Sequence, residues 1–253
     1  MSKKIAIANQ KGGVGKTTTA INLAASLAVR EKRTLLVDCD PQANATSGLG
    51  IDPRELAAHF YTVCIGQSKV HEVLCPTKLP YLFVLPSHPD LIGLEVELLG
   101  QENREYFFKK ALEGLDKEFE YIIFDCPPAL GLLTINALAA SNYLLIPLQC
   151  EYFALEGIAQ LIKTYDIVKK TINPQLQIVG VLRTMFDKRV NLSHQVSREL
   201  EQYFGEKIFK TIIPRNVRLS EAPSHGLPAL AYDIRSSGAI AYLELAKELE
   251  ARL

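Results

Sequence analysis

The run Lys11-Gly12-Gly13-Val14-Gly15-Lys16-Thr17-Thr18 has the make-up of an anion cradle. A backbone that wraps a triphosphate must turn its N–H groups inward with no Cβ in the way, and glycine allows that. The cradle also needs a helix N-terminus, whose free N–H groups and dipole favour negative charge. In such a loop Lys16 would reach the β- and γ-phosphates, and the Thr17 hydroxyl would coordinate Mg²⁺. The strict pattern G-x-x-x-x-G-K-[ST] begins with glycine, and here Gln10 stands in that place, so the loop is a deviant version.

Two carboxylate segments could share this pocket. Leu35-Leu36-Val37-Asp38-Cys39-Asp40 and Tyr121-Ile122-Ile123-Phe124-Asp125 are apolar runs that end in aspartates. A carboxylate ending a buried strand beside a phosphate loop can hold Mg²⁺ directly or through water. Asp40 and Asp125 therefore join Thr17 as candidate metal ligands, and Asp40, further out in its turn, is the better placed to orient an attacking water. For an aspartate taken alone, capping the turn that follows is the plainer role.

Positioning these residues takes alternating strands and helices. Continuous apolar runs mark strands at Lys4–Ala8, Thr34–Val37, Tyr81–Leu85, Tyr121–Phe124, Tyr143–Pro147, Ile178–Thr184 and Phe209–Ile213. Runs without polar alternation suit strands covered by helices on both faces. Helical stretches fall at Thr17–Arg30, at Leu155–Lys170 (Leu155, Ile158, Ile162 and Tyr165 on one stripe) and near Gly238–Leu253 (Tyr242, Leu245, Leu249 and Leu253). The pattern predicts an α/β fold, a doubly wound, mostly parallel sheet flanked by helices, with ligands at the carboxyl ends of the strands. Residues 52–80 give no clear pattern.

Composition narrows the class. The 253 residues are 48% hydrophobic and 22% charged, ordinary for one globular domain spanning 1–253. Lys and Arg number 28, as do Asp and Glu, so overall charge would not carry the chain onto nucleic acid or lipid, though a local patch could. Five scattered cysteines (Cys39, Cys64, Cys75, Cys126, Cys150) with no CxxC pair read as reduced thiols in a cytoplasmic protein. The basic N-terminus has only a short apolar run before Asn9, which is not a signal peptide, and no run approaches a membrane span.

Lys11–Thr17 resembles the deviant Walker A motif of the ParA/MinD ATPases. Asp38-Cys39-Asp40-Pro41-Gln42-Ala43-Asn44-Ala45-Thr46-Ser47-Gly48-Leu49-Gly50 and Asp125-Cys126-Pro127-Pro128-Ala129-Leu130-Gly131 are similar to the next two motifs of the ParA/Soj branch. So are Gln149–Gly157 and Ile213–Gly226, and the likeness runs from residue 4 to about 250. Ala43 is a departure, because glycine is common there. The resemblance implies an ATPase using ATP and Mg²⁺ that closes as an ATP-bound homodimer, binds DNA non-specifically, and lets go on hydrolysis stimulated by a ParB-type partner. It also implies that Lys11 reaches across the dimer to the partner's phosphates, that Asp40 positions the water, that Pro214 and Asn216 border the adenine, and that Arg189 and Arg218 bind DNA. The location implied is cytoplasmic and nucleoid-associated.

Charge patterning agrees with the DNA expectation. From Arg183 to Arg218 eight basic residues outnumber four acidic ones, a surplus suited to sequence-independent phosphate contacts. A MinD-like membrane-bound regulator, or a cargo-positioning ATPase, is the alternative. Against the first, Glu244–Arg252 carries three acidic and two basic residues, so anionic lipid would not attract that helix. Neither Cys39 nor Cys126 sits in a cluster-binding pattern.

Overall fold

A computed structural model describes residues 2–151 and 154–253 of the chain. Eight strands form one sheet: β1 (Lys3–Ile7), β2 (Thr34–Asp38), β3 (Cys75–Pro76), β4 (Leu82–Leu85), β5 (Tyr121–Asp125), β6 (Tyr143–Gln149), β7 (Gln177–Phe186) and β8 (Ile208–Pro214). Their order is β3-β4-β2-β5-β1-β6-β7-β8, and only the short edge strand β3 runs antiparallel. The chain leaves β1, forms the helix Lys16–Ala28, and returns at β2 with β5 lying between them. Crossovers of this kind bring the carboxyl ends of β1, β2 and β5 to one crevice, where open α/β sheets hold ligands.

Alternation along the strands divides the core in two. Ala6, Leu35, Val37, Ile122 and Phe124 face a layer built from the helices Leu132–Ala140, Ala154–Thr171 and Asn191–Phe204. Ile5, Ile7, Leu36, Tyr121 and Ile123 face the helices Lys16–Ala28 and Ser237–Arg252. By the same period of two, Asp38 and Asp125, one step beyond Val37 and Phe124, turn to the second face. That is the face of the helix that opens at Lys16, so both carboxylates lie under the phosphate loop.

Most expected elements are present with slightly moved ends. Tyr81 is not in its strand: it takes φ +66° as the turn residue before β4 and is exposed. The unpatterned stretch holds a 3-10 turn at Pro53–Glu55, helices at Phe60–Cys64 and Val70–Val73, and β3. These pieces are too short to show a period, and they bury single residues such as Phe60 and Val73. In the helix Ala154–Thr171, Ile158 and Tyr165 are buried as the stripe requires and Ile162 packs partly buried; Tyr152, Phe153 and the Leu155 side chain lie outside the described residues. Tyr242, Leu245 and Leu249 are buried against the sheet. All five cysteines are free thiols, with Cys75 partly exposed and the rest buried.

Gly180 in β7 marks a close approach of two strands. A Cβ there would stand 2.4 Å from Phe209 Cε2 and 2.9 Å from the Lys207 carbonyl oxygen. Gly180→Ala should destabilise the chain by about 1–3 kcal/mol through overpacking, read as a lower urea midpoint; an unchanged midpoint would mean that β8 does not pack this tightly on β7.

Candidate nucleotide-binding site

The phosphate loop is held open from below. Asn9 donates from Nδ2 to the Pro147 carbonyl at 2.7 Å and accepts the Lys11 N–H at 3.0 Å. Thr184 in β7 donates its hydroxyl to the Val14 carbonyl at 2.7 Å. Gly13 and Gly15 take φ values of +74° and +87°, in the region that side chains rarely adopt. A Cβ at the exposed Gly12 or Gly13 would meet nothing within 4 Å, so open space rather than packed atoms adjoins the loop. The helix Lys16–Ala28 starts with no side-chain cap, leaving its first N–H groups directed into that space. Lys16, largely buried, spans the loop by donating to the Lys11 carbonyl at 3.1 Å. Burial lowers the Lys16 pKa, and the nearby Asp125 charge works against that shift.

The two strand-end carboxylates differ in their bonding. Asp38 and Asp125 are paired across β2 and β5, and both are fully buried. Asp38 accepts the Thr46 N–H at 2.8 Å, the Thr46 hydroxyl at 2.7 Å and the Asp40 N–H at 3.2 Å. It is occupied as a brace of the following loop. Asp125 has no hydrogen-bond partner on either oxygen, although the Thr17 hydroxyl lies close enough to favour its charged form. Burial raises the pKa of both groups, and the Asp38 charge raises that of Asp125 further. An unpartnered, dehydrated carboxylate beside a threonine hydroxyl and under an anion cradle suits a hard divalent cation such as Mg²⁺. Thr17 and Asp125 are the side chains the site could offer it.

Asp40 is farther out, mostly buried, and accepts the Gln42 N–H at 2.9 Å. Its carbonyl receives the Ser87 hydroxyl at 2.7 Å. The turn-capping role is thus present, and it fixes the carboxylate at the rim of the crevice. Ala43 next to this turn has φ +52°, which is why glycine is common there in the branch the sequence resembles. Lys11 sits at the mouth of the loop, where its Nζ pairs with Glu151 at 2.5 Å.

A cleft of about 410 Å³ continues from the loop between β7 and β8. Gly15, Thr18, Pro214 and Asn216 line it, with Thr184, Met185 and Tyr242, which sequence reasoning missed. Asn216 caps the helix Val217–Glu221 by accepting the Arg218 N–H at 3.1 Å, and it donates to Ser237 Oγ at 2.9 Å. Met185 takes φ +48° at the end of β7. Non-glycine residues held there cluster at ligand sites, and no local sequence signal announces such a backbone.

The expected DNA residues lie elsewhere. Arg189 is highly exposed and bonds Asp187 through Nε and Nη2, at 2.9 and 2.7 Å. Arg218 bonds Glu221 at 2.8 Å, stands 3.4 Å from Asp233 and overlies the Tyr232 ring. Arg183, counted in the basic surplus, is not on the surface: it is buried and bonds Glu201, Ser197 and the Phe209 carbonyl. Because Glu201 is neutralised with it, the surplus remains, carried by the exposed Lys188, Arg189, Arg198, Lys207, Lys210, Arg215 and Arg218.

Comparison with known proteins gives the family and the fold. The AAA_31 family model, described as an AAA domain, matches residues 2–178. The chain is 57% identical over 248 residues to the chromosome partitioning protein ParA of Myxococcus xanthus, covering 98% of this chain and 88% of that protein. It is 54% identical to the sporulation initiation inhibitor protein Soj of Bacillus subtilis, with 99% of each covered. A crystal structure of cobyrinic acid a,c-diamide synthase from Mycobacterium smegmatis, with bound ADP and magnesium, has TM-score 0.86 and 38% identity, covering 98% of this chain and 93% of that one.

The unpartnered Asp125 has a thermodynamic signature. A carboxyl with a raised folded pKa adds stability below its unfolded value and loses it as pH rises through the folded one. Without nucleotide at pH 7, Asp125→Asn should therefore unfold at a higher urea concentration than the parent chain. The advantage should shrink as pH falls toward the ordinary carboxyl value of about 4. The same variant should lose the Mg²⁺ dependence of nucleotide binding. Equal midpoints at pH 7 would show that the carboxylate is not dehydrated.

Proposed function

Because the chain belongs to the ParA/Soj family of chromosome-partitioning ATPases, we propose that it is a nucleotide-gated switch on DNA. It is an ATPase that hydrolyses ATP, with Mg²⁺ as companion ion. One observation carries the assignment of the site: Lys16, the unpartnered Asp125 and the open glycine cradle converge at one helix N-terminus.

In this reading the loop N–H groups of residues 12–18 take the β- and γ-phosphates, and Lys16 neutralises them. Thr17, Asp125 and Asp40 would hold Mg²⁺. The ion, when bound, neutralises charge on the phosphate oxygens that separate during transfer. Asp40 accepts a hydrogen bond from the attacking water and holds it in line with the bond that breaks. Pro214 and Asn216 border the adenine in the cleft between β7 and β8. Lys11 reaches the phosphates of a second copy in an ATP-bound homodimer. Its pair with Glu151 must open for that, and exposed pairs contribute less than about 1 kcal/mol. A phosphate competes readily with a contact so weak.

DNA binding falls to Arg189 and Arg218 with the exposed basic residues around them, and a ParB-type partner stimulates hydrolysis and release. The location that follows is cytoplasmic, on the nucleoid. The membrane-bound alternative has less support, because Glu244–Arg252 carries no basic surplus to meet anionic lipid. The apolar stripe of the last helix is also spent on the core, with Tyr242 and Leu249 buried.

Asp40→Ala should keep ATP binding and dimerisation and lose turnover by at least about 100-fold; full turnover would remove Asp40 from the reaction. In that trapped variant, DNA binding should require ATP rather than ADP and weaken as salt rises. Adding Arg189→Ala and Arg218→Ala removes two contacts from each of two copies and should lower the slope of log affinity against log salt by about 4 while the dimer persists. An unchanged slope would move the DNA contact off this surface.

A further inference from the structure

A group of ligand-type side chains lies outside the nucleotide site, where the chain leaves β4 and where it enters the helix Phe60–Cys64. His59, His88 and Asp90 each bring one donor atom to within 4.8 Å of the others. His59 Nε2 is 3.9 Å from Asp90 Oδ2, and His88 Nδ1 is 3.2 Å from the same oxygen. Donors around a tetrahedral ion, with metal–ligand bonds of about 2.0–2.2 Å, stand roughly 3.3–3.6 Å apart. Asp90 Oδ2 is already near that spacing from a nitrogen of each histidine.

The two imidazoles sit at different depths. His88 Nδ1 accepts the Asp90 N–H at 3.2 Å and stands equally close to the Asp90 carboxylate. His59, only 5% exposed, keeps its Nδ1 buried without a hydrogen-bond partner. Neutral imidazole is the form that ligates metals. The Asp90 side chain is 59% exposed and opens a path from solvent.

We propose that His59, His88 and Asp90 form a site for a divalent transition-metal ion such as Zn²⁺ or Co²⁺, with water completing the coordination. Two nitrogen donors among three set it apart from the all-oxygen sites that Mg²⁺ and Ca²⁺ prefer. Without metal the two rings stack, with centroids 4.2 Å apart and planes 13° off parallel. Binding turns the His88 ring, the more exposed of the two, so that both lone pairs meet one ion. The position gives the ion a consequence for the loop that carries Asp40. Ser87, next to His88, donates its hydroxyl to the Asp40 carbonyl at 2.7 Å and its N–H to Thr46 Oγ1 at 3.0 Å. An ion gripping His88 and His59 stiffens the segment that holds this loop from behind.

The test is a Co²⁺ titration of the full-length, tag-free chain, freed of metal by a chelator and kept without nucleotide, followed by Zn²⁺ competition. One Co²⁺ per chain should bind, with the visible absorption of a nitrogen–oxygen site, and Zn²⁺ should displace it. His88→Gln and Asp90→Asn should each weaken binding at least about tenfold, while Lys16→Ala leaves it unchanged. Urea midpoints measured without metal separate this loss from misfolding. The proposal is overturned if both correctly folded variants bind as the parent does, if no Co²⁺ binds below about millimolar, or if a strong near-ultraviolet thiolate band shows that cysteine holds the ion.

Discussion

Two carboxylates buried side by side at the ends of β2 and β5 are the constraint from which the site follows. Like charges this close in a dehydrated interior cannot both stay ionised unless something positive or hydrogen-bonding meets them. Asp38 meets its need within the chain, through Thr46 and the Asp40 N–H. Its satisfaction folds residues 40–46 into the loop that places Asp40 at the rim. Asp125 has no such partner, and only Lys16 and Thr17 stand nearby to favour its charge. One member of the pair builds the loop, and the other, on the proposed reading, is left for an ion.

That asymmetry depends on the sheet's register. Asp38 is paired with Asp125, and Ile7 with Asp125, so three strand ends finish at one level. A slip of one residue would turn either aspartate to the opposite face, where Cys39 and Cys126 lie among apolar side chains. The glycines of the loop can then be read as the complement of this arrangement. They hold N–H groups and open space above a negative floor, which admits an anion only together with a cation.

Much of this was legible in the sequence because it rests on local rules. Glycine spacing, the apolar runs before Asp38 and Asp125, and the stripe through Tyr242 and Leu249 each report a period or a backbone need that one residue type meets. What stayed hidden depends on contacts between distant segments. Nothing around Asp38 distinguishes it from Asp125 until Thr46 is seen to fold back on it. Met185 is an ordinary residue type in an unusual backbone conformation, and Arg183 looks like surface charge until β7 places it against Ser197 and Glu201. The elements within residues 52–80 are too short to repeat the periods by which elements are recognised.

The cations assigned to phosphates outside the cradle share one feature. Lys11 is held by Glu151, Arg189 by Asp187, and Arg218 by Glu221 and Asp233. Each is an exposed pair, and each carboxylate keeps its cation in a defined place at little cost in free energy. A polyanion that approaches must displace a carboxylate as well as water and salt ions, which lowers the affinity of any single contact. Binding then depends on many such exchanges occurring together, which two copies joined in a dimer supply and one copy does not. On the proposed function, weak pairing of the contact residues would make DNA affinity follow a nucleotide that joins two copies.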